Sequence, residues 1–341
     1  MKFIFLRFRI FFIFLAILLF TLGGVFIFLF IGNTKQAEHI TWGATFGHSQ
    51  AESLGLNWRE TYLALVDDMG VRRFRIPIYW DELEKEKGKF DFSAWDWQLQ
   101  ELEKRGGKAF LAIGMKLPRW PECRIPEWAK DLSKEDREKE ILAMLSVVVE
   151  HFKDNPAVWA WQVENEPMLR FGNCPEPRIE KRFLDQEIAL VRKADPSRPI
   201  ILSDTGENSF WLQTGKRADI FSSTLFRIIH NPTIGYVRYP YPPIMYHRKA
   251  AWLHIWYPNV RIIVGELQAE PWVVKPPISQ YSVEEQYETM SPEQFSNNIE
   301  YAKNTGFDEF YLWGSEWWYW LKTHGETDIW QKAGELFHSK N

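Results

Sequence analysis

Short apolar runs alternate with longer amphipathic stretches from about residue 40 to the end of the chain. Strands of a sheet that is buried on both faces are continuously apolar, and the helices that cover such a sheet are amphipathic. Eight such runs are present, at residues 42–47, 71–78, 108–115, 158–166, 199–205, 219–226, 261–268 and 309–314. The pattern predicts a single α/β domain over residues 40–341, a (β/α)8 barrel in preference to a doubly wound sheet, which rarely needs eight such units.

Helix starts and loops can be read between these runs. Residues Asn57, Ser93, Ser133 and Ser291 each precede a stretch of good helix formers and are predicted as N-caps. Proline-rich stretches at 239–243 and 271–277 follow apolar runs. Because proline and turn residues interrupt regular structure, we predict that these stretches are long loops that wall a cleft.

A separate apolar segment precedes the barrel. Residues 10–31 contain no charged side chain, and as a helix they would be about 33 Å long, which matches the hydrocarbon core of a bilayer. A cleaved signal peptide and a buried core helix are the alternatives, but the following residues lack an A-x-A cleavage pattern and the segment is apolar on every face. We therefore predict a transmembrane anchor.

Charges beside the apolar segment predict its orientation. Lys2, Arg7 and Arg9 precede it, whereas Lys35 follows it closely. By the positive-inside rule, residues 1–9 are cytoplasmic, residues 32–39 form a linker, and the barrel lies outside the cell membrane. Cys123 and Cys174 would then face an oxidising compartment, where they form a disulfide or remain as two unrelated thiols.

Composition excludes several kinds of partner. The chain carries a net charge of −4, so binding of nucleic acid, which needs clustered Lys and Arg, is not expected. Metal-binding spacings such as C-x-x-C or H-E-x-x-H are missing, and we predict neither a metal site nor a cofactor. Aromatic residues make up 16% of the chain, with 18 tryptophans, and their excess of flat ring surface needs an explanation.

The fourth apolar run, VWAWQVENEP, ends in two glutamates around an asparagine and then a proline. Strand alternation would place Glu164 and Glu166 on one side and Asn165 on the other, unless the strand is distorted at its end. Glu166 is the outermost, at the C-terminal mouth, where barrel enzymes have their active sites. A solvated loop carboxylate is the alternative.

The seventh run, RIIVGELQAEPW, also ends in acids, Glu266 and then Glu270. Carboxyl groups at the mouths of the fourth and seventh strands face each other across the barrel. A pair about 5 to 5.5 Å apart is what double-displacement hydrolysis of a glycoside requires. We favour Glu266 over Glu270, because Glu266 directly follows the apolar run.

These segments, with Arg75 in RFRIPIYW and Trp313 in FYLWGSEWW, resemble the retaining (β/α)8 glycoside hydrolases of clan A, most closely the cellulase-like family 5 or a close neighbour. The resemblance covers nearly the whole domain and implies a glycosidase that acts on β-linked glycans. It implies that Glu166 is the acid/base and Glu266 the nucleophile. It further implies that Arg75 keeps the nucleophile ionised, Asn165 binds the sugar 2-hydroxyl and Trp313 forms the floor of the subsite. We also expect at least one of Trp313, Trp317, Trp318 and Trp320 to be exposed for sugar stacking.

One position departs from the pattern. Many relatives have a strand-six tyrosine that binds the nucleophile, whereas Phe226 stands here. Candidate replacements from the same region are Tyr236, Tyr239, Tyr241 and His230. The missing tyrosine leaves a carbohydrate-binding pseudoenzyme as an alternative to a hydrolase. A transglycosylase that uses the same carboxylates is a second alternative, because water and sugar acceptors differ only in loop contacts. A third alternative is an unrelated barrel enzyme or a membrane-tethered scaffold.

Overall fold

The computed structural model describes residues 2–176 and 178–338. Met1, in the predicted cytoplasmic segment, and residues 339–341, at the end of the predicted barrel domain, lie outside the described residues. Within the described ranges, eight parallel strands close a barrel and two further strands form an antiparallel hairpin. The barrel strands are β1 (Thr41–Thr45), β2 (Arg73–Pro77), β3 (Lys108–Ile113), β4 (Val158–Val163), β5 (Ile200–Asp204), β6 (Ile220–Leu225), β9 (Arg261–Gln268) and β10 (Glu309–Trp313).

The barrel order is β1-β10-β9-β6-β5-β4-β3-β2, and each strand is followed by helix on the outside. The α-helices are α1 (Lys2–Phe30), α2 (His48–Ser53), α3 (Trp58–Leu63), α4 (Trp80–Leu83), α5 (Ser93–Glu103), α6 (Lys134–Phe152), α7 (Lys181–Ala194), α8 (Leu212–Gly215), α9 (Pro243–Trp256), α10 (Val283–Met290), α11 (Pro292–Lys303), α12 (Ser315–Thr323) and α13 (Asp328–His338). A π-helical turn (Ala64–Asp68) continues α3, and 3-10 turns lie at Glu127–Ala129 and Ile278–Gln280.

The predicted (β/α)8 barrel is confirmed, and each predicted run overlaps one of its strands. The hairpin of β7 (Ile228–Asn231) and β8 (Gly235–Arg238), inserted between β6 and α9, was not predicted. Its residues directly continue the apolar run of β6. Gln268 holds the start of the hairpin, since its side-chain oxygen accepts hydrogen bonds from the backbone N–H groups of Arg227 and Ile228.

The barrel interior is filled by side chains from neighbouring strands. Phe110, Ala160, Ile201 and Tyr311 belong to a buried cluster that is separate from the main core. Gly43 on β1 faces the Tyr311 ring so closely that an added Cβ would lie 2.5 Å from it. Glycine at this position therefore makes room for the large ring inside the barrel.

Helix starts follow the predicted caps in three of four cases. The side chains of Asn57, Ser133 and Ser291 accept hydrogen bonds from backbone N–H groups of the first turns of α3, α6 and α11. Ser93 was predicted as a cap, but it lies inside the first turn of α5. Its own backbone N–H donates to Asp91 Oδ1 over 2.9 Å, so Asp91 serves as the side-chain acceptor there.

Helix α1 contains one stretch, Arg9–Phe30, that is long and apolar enough to cross a membrane by length and composition. None of this stretch is buried within the protein, which argues against the alternative of a core helix. Its last turn meets the barrel domain: the Phe30 ring lies 6.1 Å from that of Tyr241, and the Arg248 guanidinium lies over Phe28.

Cys123 and Cys174 are joined in a disulfide, the first of the two alternatives that the sequence left open. The bond connects the loop after β3 with the loop after β4. Because these two loops border the C-terminal mouth of the barrel, the disulfide fixes one part of its rim.

Candidate active site

The two predicted glutamates meet at the C-terminal mouth of the barrel. Glu166 lies just beyond the end of β4, after Glu164 and Asn165, and Glu266 lies near the end of β9. Thr224 on β6 lies next to both glutamates. It pairs with Glu266 in the register of β6 and β9, and its Oγ1 donates a hydrogen bond to Glu166 Oε1 over 3.3 Å. Both glutamates are nearly buried, with 8% and 5% of their surface exposed.

Arg75 lies on β2 at the base of this site and is completely buried. Its Nη1 donates to Glu266 Oε1, its Nη2 donates to Asn165 Oδ1 over 2.8 Å, and its Nε donates to Gln162 Oε1 over 2.8 Å. A guanidinium presents several donors in a fixed plane, so one side chain can position a carboxylate and an amide together. The structure thus brings together four of the five predicted site residues.

The end of β4 is distorted, so the alternation expected for an undistorted strand does not hold there. Glu164 and Glu166 both have positive φ angles, 60° and 42°. These left-handed conformations end the strand geometry, so Asn165 and Glu166 both face the site although they are consecutive in sequence. Glu164 instead accepts hydrogen bonds from the backbone N–H groups of Met115 and Lys116, over 2.8 and 2.6 Å.

Glu164 also has an acidic neighbour on the helix side. Glu187, fully buried on α7, faces Glu164, and burial together with this neighbour raises the pKa of Glu187 well above its usual range. Since Glu164 accepts two backbone hydrogen bonds, it is the member that carries the charge, and Glu187 keeps the proton. Gly114 makes room for the Glu164 carboxylate, because a Cβ at position 114 would lie 2.5 Å from Glu164 Oε1.

The pKa of Glu166 is raised well above its usual range. Burial is the main cause, and the neighbouring carboxyl groups of Glu266 and Glu122 add to it, whereas Lys116 opposes it. Glu266, in contrast, shares a hydrogen-bonded ion pair with Arg75. The two carboxyl groups are therefore in different environments, one that favours a proton and one that favours a charge.

Glu122 is a third carboxyl group at the site that the sequence did not reveal. It lies in the loop after β3, next to the disulfide, and accepts a hydrogen bond from Asn165 Nδ2 over 3.3 Å. Burial raises the pKa of Glu122 to about 8, and the nearby charge of Glu266 also raises it, while Lys116 and Arg75 lower it. No repeating pattern marks such a loop residue; its position beside Cys123 was the only available signal.

Other unpredicted residues support this arrangement. The Ser203 hydroxyl, at the end of β5, accepts from the backbone N–H of Glu166 over 2.8 Å and donates to Asn165 Oδ1 over 3.1 Å. Buried Lys116 donates through Nζ to the backbone oxygens of Glu166 and Leu169. These bonds hold the distorted end of β4. Ser203 was not identified from the sequence; an inward-facing polar residue near the end of an apolar run was the signal that could have found it.

Trp313 does not present an open ring face to the cleft. It is 8% exposed, and the Arg119 guanidinium lies 3.9 Å above its ring centroid. Arg119 also forms ion pairs with Glu270 and Glu316. Burial alone would lower the pKa of Arg119, but the two carboxylates raise it, so the arginine is charged.

The expectation that one of the four clustered tryptophans is exposed is wrong. Trp317 and Trp318 are fully buried and Trp320 nearly so, because α12 packs this face into the core. Exposed aromatic surface at the mouth comes from the loops instead. Trp120 and Phe171 contact each other and are exposed, and the Phe171 ring lies 6.5 Å from that of Trp272 in the second predicted wall loop.

Among the candidates for the strand-six tyrosine, Tyr239 comes nearest to the site. The charge of Glu166 contributes to the raised pKa of Tyr239, for which burial is the main cause. Tyr241 stacks on Tyr239, whereas Tyr236 and His230 pair with each other on the hairpin. Within the described residues, no group of three or more His, Cys, Asp or Glu side chains is arranged to hold a metal ion.

Comparisons with known proteins give a family match over part of the chain and a shared fold. Residues 56–187 match the model of glycoside hydrolase family 42, described as β-galactosidase. The fold is similar to that of a cold-adapted β-galactosidase from Rahnella sp. R3, with 13% identity, a TM-score of 0.58, and 89% of this chain and 57% of that chain covered. The chain spans about half the length of such β-galactosidases.

Xylanases share the same fold. A Cellvibrio japonicus xylanase matches with 13% identity, a TM-score of 0.56, and 89% of this chain and 99% of that chain covered. A family 10 endo-β-1,4-xylanase from Gloeophyllum trabeum matches with 14% identity, a TM-score of 0.54, and 81% and 84% covered. The predicted resemblance to (β/α)8 glycoside hydrolases is confirmed by the family match over residues 56–187 and by the shared fold. Families 42 and 10 are compatible with the predicted neighbourhood of family 5.

Proposed function

We propose that the protein is a retaining β-glycosidase in which Glu266 is the nucleophile and Glu166 the acid/base. The observation that carries the proposal is the unequal environment of the two glutamates. Arg75 pairs with Glu266 and favours its ionised form, whereas burial and two acidic neighbours keep a proton on Glu166. Retaining hydrolysis needs one carboxylate and one carboxylic acid at the same bond.

The reaction proceeds in two displacements. Glu166 donates its proton to the glycosidic oxygen while a Glu266 oxygen bonds to the anomeric carbon, so the leaving sugar departs as an alcohol and a glycosyl ester remains. Glu166, now a carboxylate, then takes a proton from a water molecule whose oxygen bonds to the anomeric carbon. This second step releases Glu266 as a carboxylate and restores the starting configuration at the anomeric carbon.

Asn165 and Trp313 complete the proposed site. Asn165 Oδ1 accepts from Arg75 and from Ser203, and its Nδ2 is the donor that remains for a substrate or for Glu122. We propose that it binds the 2-hydroxyl of the sugar at the cleaved bond. Trp313 is proposed to line the same subsite beneath Arg119.

The substrate is proposed to be a β-linked glycan, with β-galactosides and β-xylosides as the first classes to test, since the relatives are named for these activities. Helix α1 is proposed to anchor the enzyme in the cell membrane, with residues 10–31 spanning it and the barrel outside the cytoplasm. The apolar, unburied helix and the disulfide support this location. Membrane fractionation, with accessibility of the barrel to added protease in intact cells, tests it.

A transglycosylase is the second candidate. The two carboxyl groups are nearly buried, and the loops after β4 and β9 contact each other through Phe171 and Trp272. An acceptor sugar stacked on the exposed Phe171 ring would exclude water from these carboxyl groups, which favours transfer over hydrolysis in the second step. Product analysis with excess acceptor sugar separates the two reactions, because only transfer yields longer oligosaccharides.

The assignment of the two glutamates is tested by azide rescue of alanine variants. For Glu266→Ala we expect no turnover, and azide to restore it with inverted configuration, since the anion attacks directly from the vacated side. For Glu166→Ala we expect turnover only of glycosides with good leaving groups, and azide to restore it with retained configuration. Identical products from both variants, or an active Glu266→Ala enzyme beside an inactive Glu270→Ala enzyme, would contradict the assignment.

A further inference from the structure

The line from Glu166 to Glu266 divides the mouth of the barrel into two unequal sides. On one side lie the ends of β5 and β6, and on the other lie those of β10, β1, β2 and β3. A glycan that binds across this line needs an open path on both sides if the enzyme is to cut inside a chain. The two sides differ in how they are covered.

Arg119 covers the larger side. It belongs to the loop after β3, but its guanidinium reaches Glu270 beyond β9 and Glu316 at the start of α12. It lies on the ring of Trp313 at the end of β10. Glu316 in turn accepts from the backbone N–H of Gly47, after β1, over 2.7 Å. One buried ion-pair cluster therefore connects the loops after β3, β9, β10 and β1.

The loop that carries Arg119 is held in place from several directions. The Tyr79 hydroxyl, after β2, donates to the Pro118 backbone oxygen over 2.8 Å, and Leu117 N–H donates to the Glu122 backbone oxygen over 2.8 Å. The Cys123–Cys174 disulfide fixes the far end of the loop. Breaking a buried ion pair leaves an uncompensated charge, so the cluster is a fixed wall.

Two polar atoms of this wall lack a hydrogen-bond partner within the described residues. They are Arg119 Nε, a donor, and Glu270 Oε2, an acceptor, and both are buried. Buried polar groups are normally satisfied, so an adjacent pair without partners points to a ligand. A sugar hydroxyl both donates and accepts, and the free hydroxyl groups at the end of a glycan would satisfy the two atoms.

The positions of the glutamates show which end of the glycan meets the wall. The Glu166 carboxyl accepts a hydrogen bond from Thr224 of β6, so the acid faces the β5 and β6 side, where the leaving group must lie. Glu266 is drawn by Arg75 towards β2, on the walled side. The sugar bonded to Glu266 therefore lies between the catalytic pair and Arg119.

The side of β5 and β6 carries surface that could receive the departing part of the substrate. Phe210, in the loop after β5, is 84% exposed, and Asn208 donates to the Tyr239 hydroxyl nearby over 3.1 Å. The β7–β8 hairpin extends this surface with Tyr236, which is also exposed.

We propose that Arg119 and Glu270 end the substrate site and bind the terminal non-reducing sugar, so that the enzyme removes single sugars from chain ends. The proposal rests on the retaining β-glycosidase function proposed above. It assigns Arg119 and Glu270 as specificity-determining residues. An internal sugar would carry its next glycosidic bond where these two side chains stand.

Product lengths test the proposal. Aryl β-galactosides and β-xylosides first identify the accepted sugar, and a hexasaccharide of that sugar, labelled at its reducing end, is then digested. We expect the labelled chain to shorten by one sugar at a time, with free monosaccharide from the first time point. Labelled dimers and trimers at the earliest times would overturn the proposal while leaving the glycosidase function intact. Failure to cleave these substrates and also aryl β-glucosides and β-mannosides would overturn the glycosidase function, and the chain-end proposal with it.

Variants of the wall provide a second test. For Arg119→Ala we expect kcat/KM for removal of the terminal sugar to fall about 10- to 100-fold, and internal cleavage products to appear. Arg119→Lys keeps the charge but loses the planar contact, and it should retain terminal cleavage only in part. Arg105→Ala, which removes a surface ion pair with Asp67, is the matched control. Thermal unfolding monitors folding, and the product pattern of the unmodified enzyme decides the proposal if Arg119→Ala is unstable.

Discussion

Asn165 donates a hydrogen bond to Glu122, from its amide Nδ2 to the carboxyl Oε2 over 3.3 Å. Through its Oδ1 the same amide accepts from Arg75, which holds Glu266. Glu122 therefore connects a disulfide-bonded loop to the proposed nucleophile through two side chains, Asn165 and Arg75. Its pKa of about 8 places a change of charge within reach of ordinary assay conditions.

Replacing Glu122 should change the pH dependence of the reaction. The Glu122 charge raises the pKa of Glu166, so for Glu122→Gln we expect a lower pKa at Glu166. Because the general acid must be protonated, the alkaline limb of kcat/KM should move to lower pH, by on the order of one unit. The measurement needs a substrate with a poor leaving group. An alkaline limb that coincides with that of the unmodified enzyme would contradict this role.

Much of the fold was predictable because each barrel strand is a continuous apolar run. Glu166 and Glu266 were also predictable, since each comes at the end of such a run. The positions of Glu122 and Arg119 were not. They depend on a loop whose path is set by the Cys123–Cys174 disulfide and by contacts with distant strands, none of which leaves a periodic signal.

Local backbone conformation limited the prediction at the end of β4. A strand pattern assumes extended backbone, and alternation then separates Asn165 from Glu166. The positive φ angles of Glu164 and Glu166 are stabilised by tertiary bonds, such as those from Met115 and Lys116 to the Glu164 carboxylate. Such strain occurs where surrounding structure over-determines a residue, as it does at functional sites.

Glu187 should make stability depend on pH. Its pKa is raised by burial and by Glu164, with Glu138 adding to it, so the folded protein holds a proton that the unfolded chain releases above about pH 4.3. The folded state then binds more protons, and stability falls as the pH rises from that value towards the folded pKa. Glu187→Gln keeps a donor for Glu164 and removes this ionisation. We expect its melting temperature to fall less between pH 5 and pH 8 than that of the unmodified protein.

Exposed Glu103→Gln is the control for this measurement. It should follow the unmodified protein at both pH values. If Glu187→Gln shows the same decline as the control, then Glu187 is already ionised in the folded state and the assignment of the proton is wrong.

Removing the disulfide should weaken both stability and catalysis. The bond closes a loop with a sequence separation of 51 residues, for which the chain-entropy estimate is about 4 kcal/mol. For a Cys123→Ser, Cys174→Ser double variant we expect a loss of about 2 to 4 kcal/mol in the free energy of unfolding. Because Glu122 and Arg119 share the released loop, kcat/KM should also fall. Chemical denaturation and an aryl glycoside assay check the two effects, and full activity in the double variant would show that the loop holds its shape without the bond.

The segment before β1 contacts the barrel domain. Residues 32–39 were predicted as a linker, yet the segment around them touches the domain: Gln36 Nε2 donates to Asn304 Oδ1 over 3.0 Å, the Thr34 hydroxyl donates to the Asn304 backbone oxygen, and Phe30 lies against Tyr241. A chain that begins at residue 30 keeps these contacts, whereas one that begins at residue 39 loses them.

We expect both chains to fold and to remain soluble without detergent, because none of the apolar stretch before residue 30 is buried in the domain. The longer chain should melt about 2 to 6 °C higher, since one partly buried ring and two hydrogen bonds are worth about 1 to 2 kcal/mol together. Adding Thr34→Ala and Gln36→Ala to the longer chain should remove most of the difference, and equal melting temperatures for all three chains would show that these residues behave as the free linker that the sequence predicts.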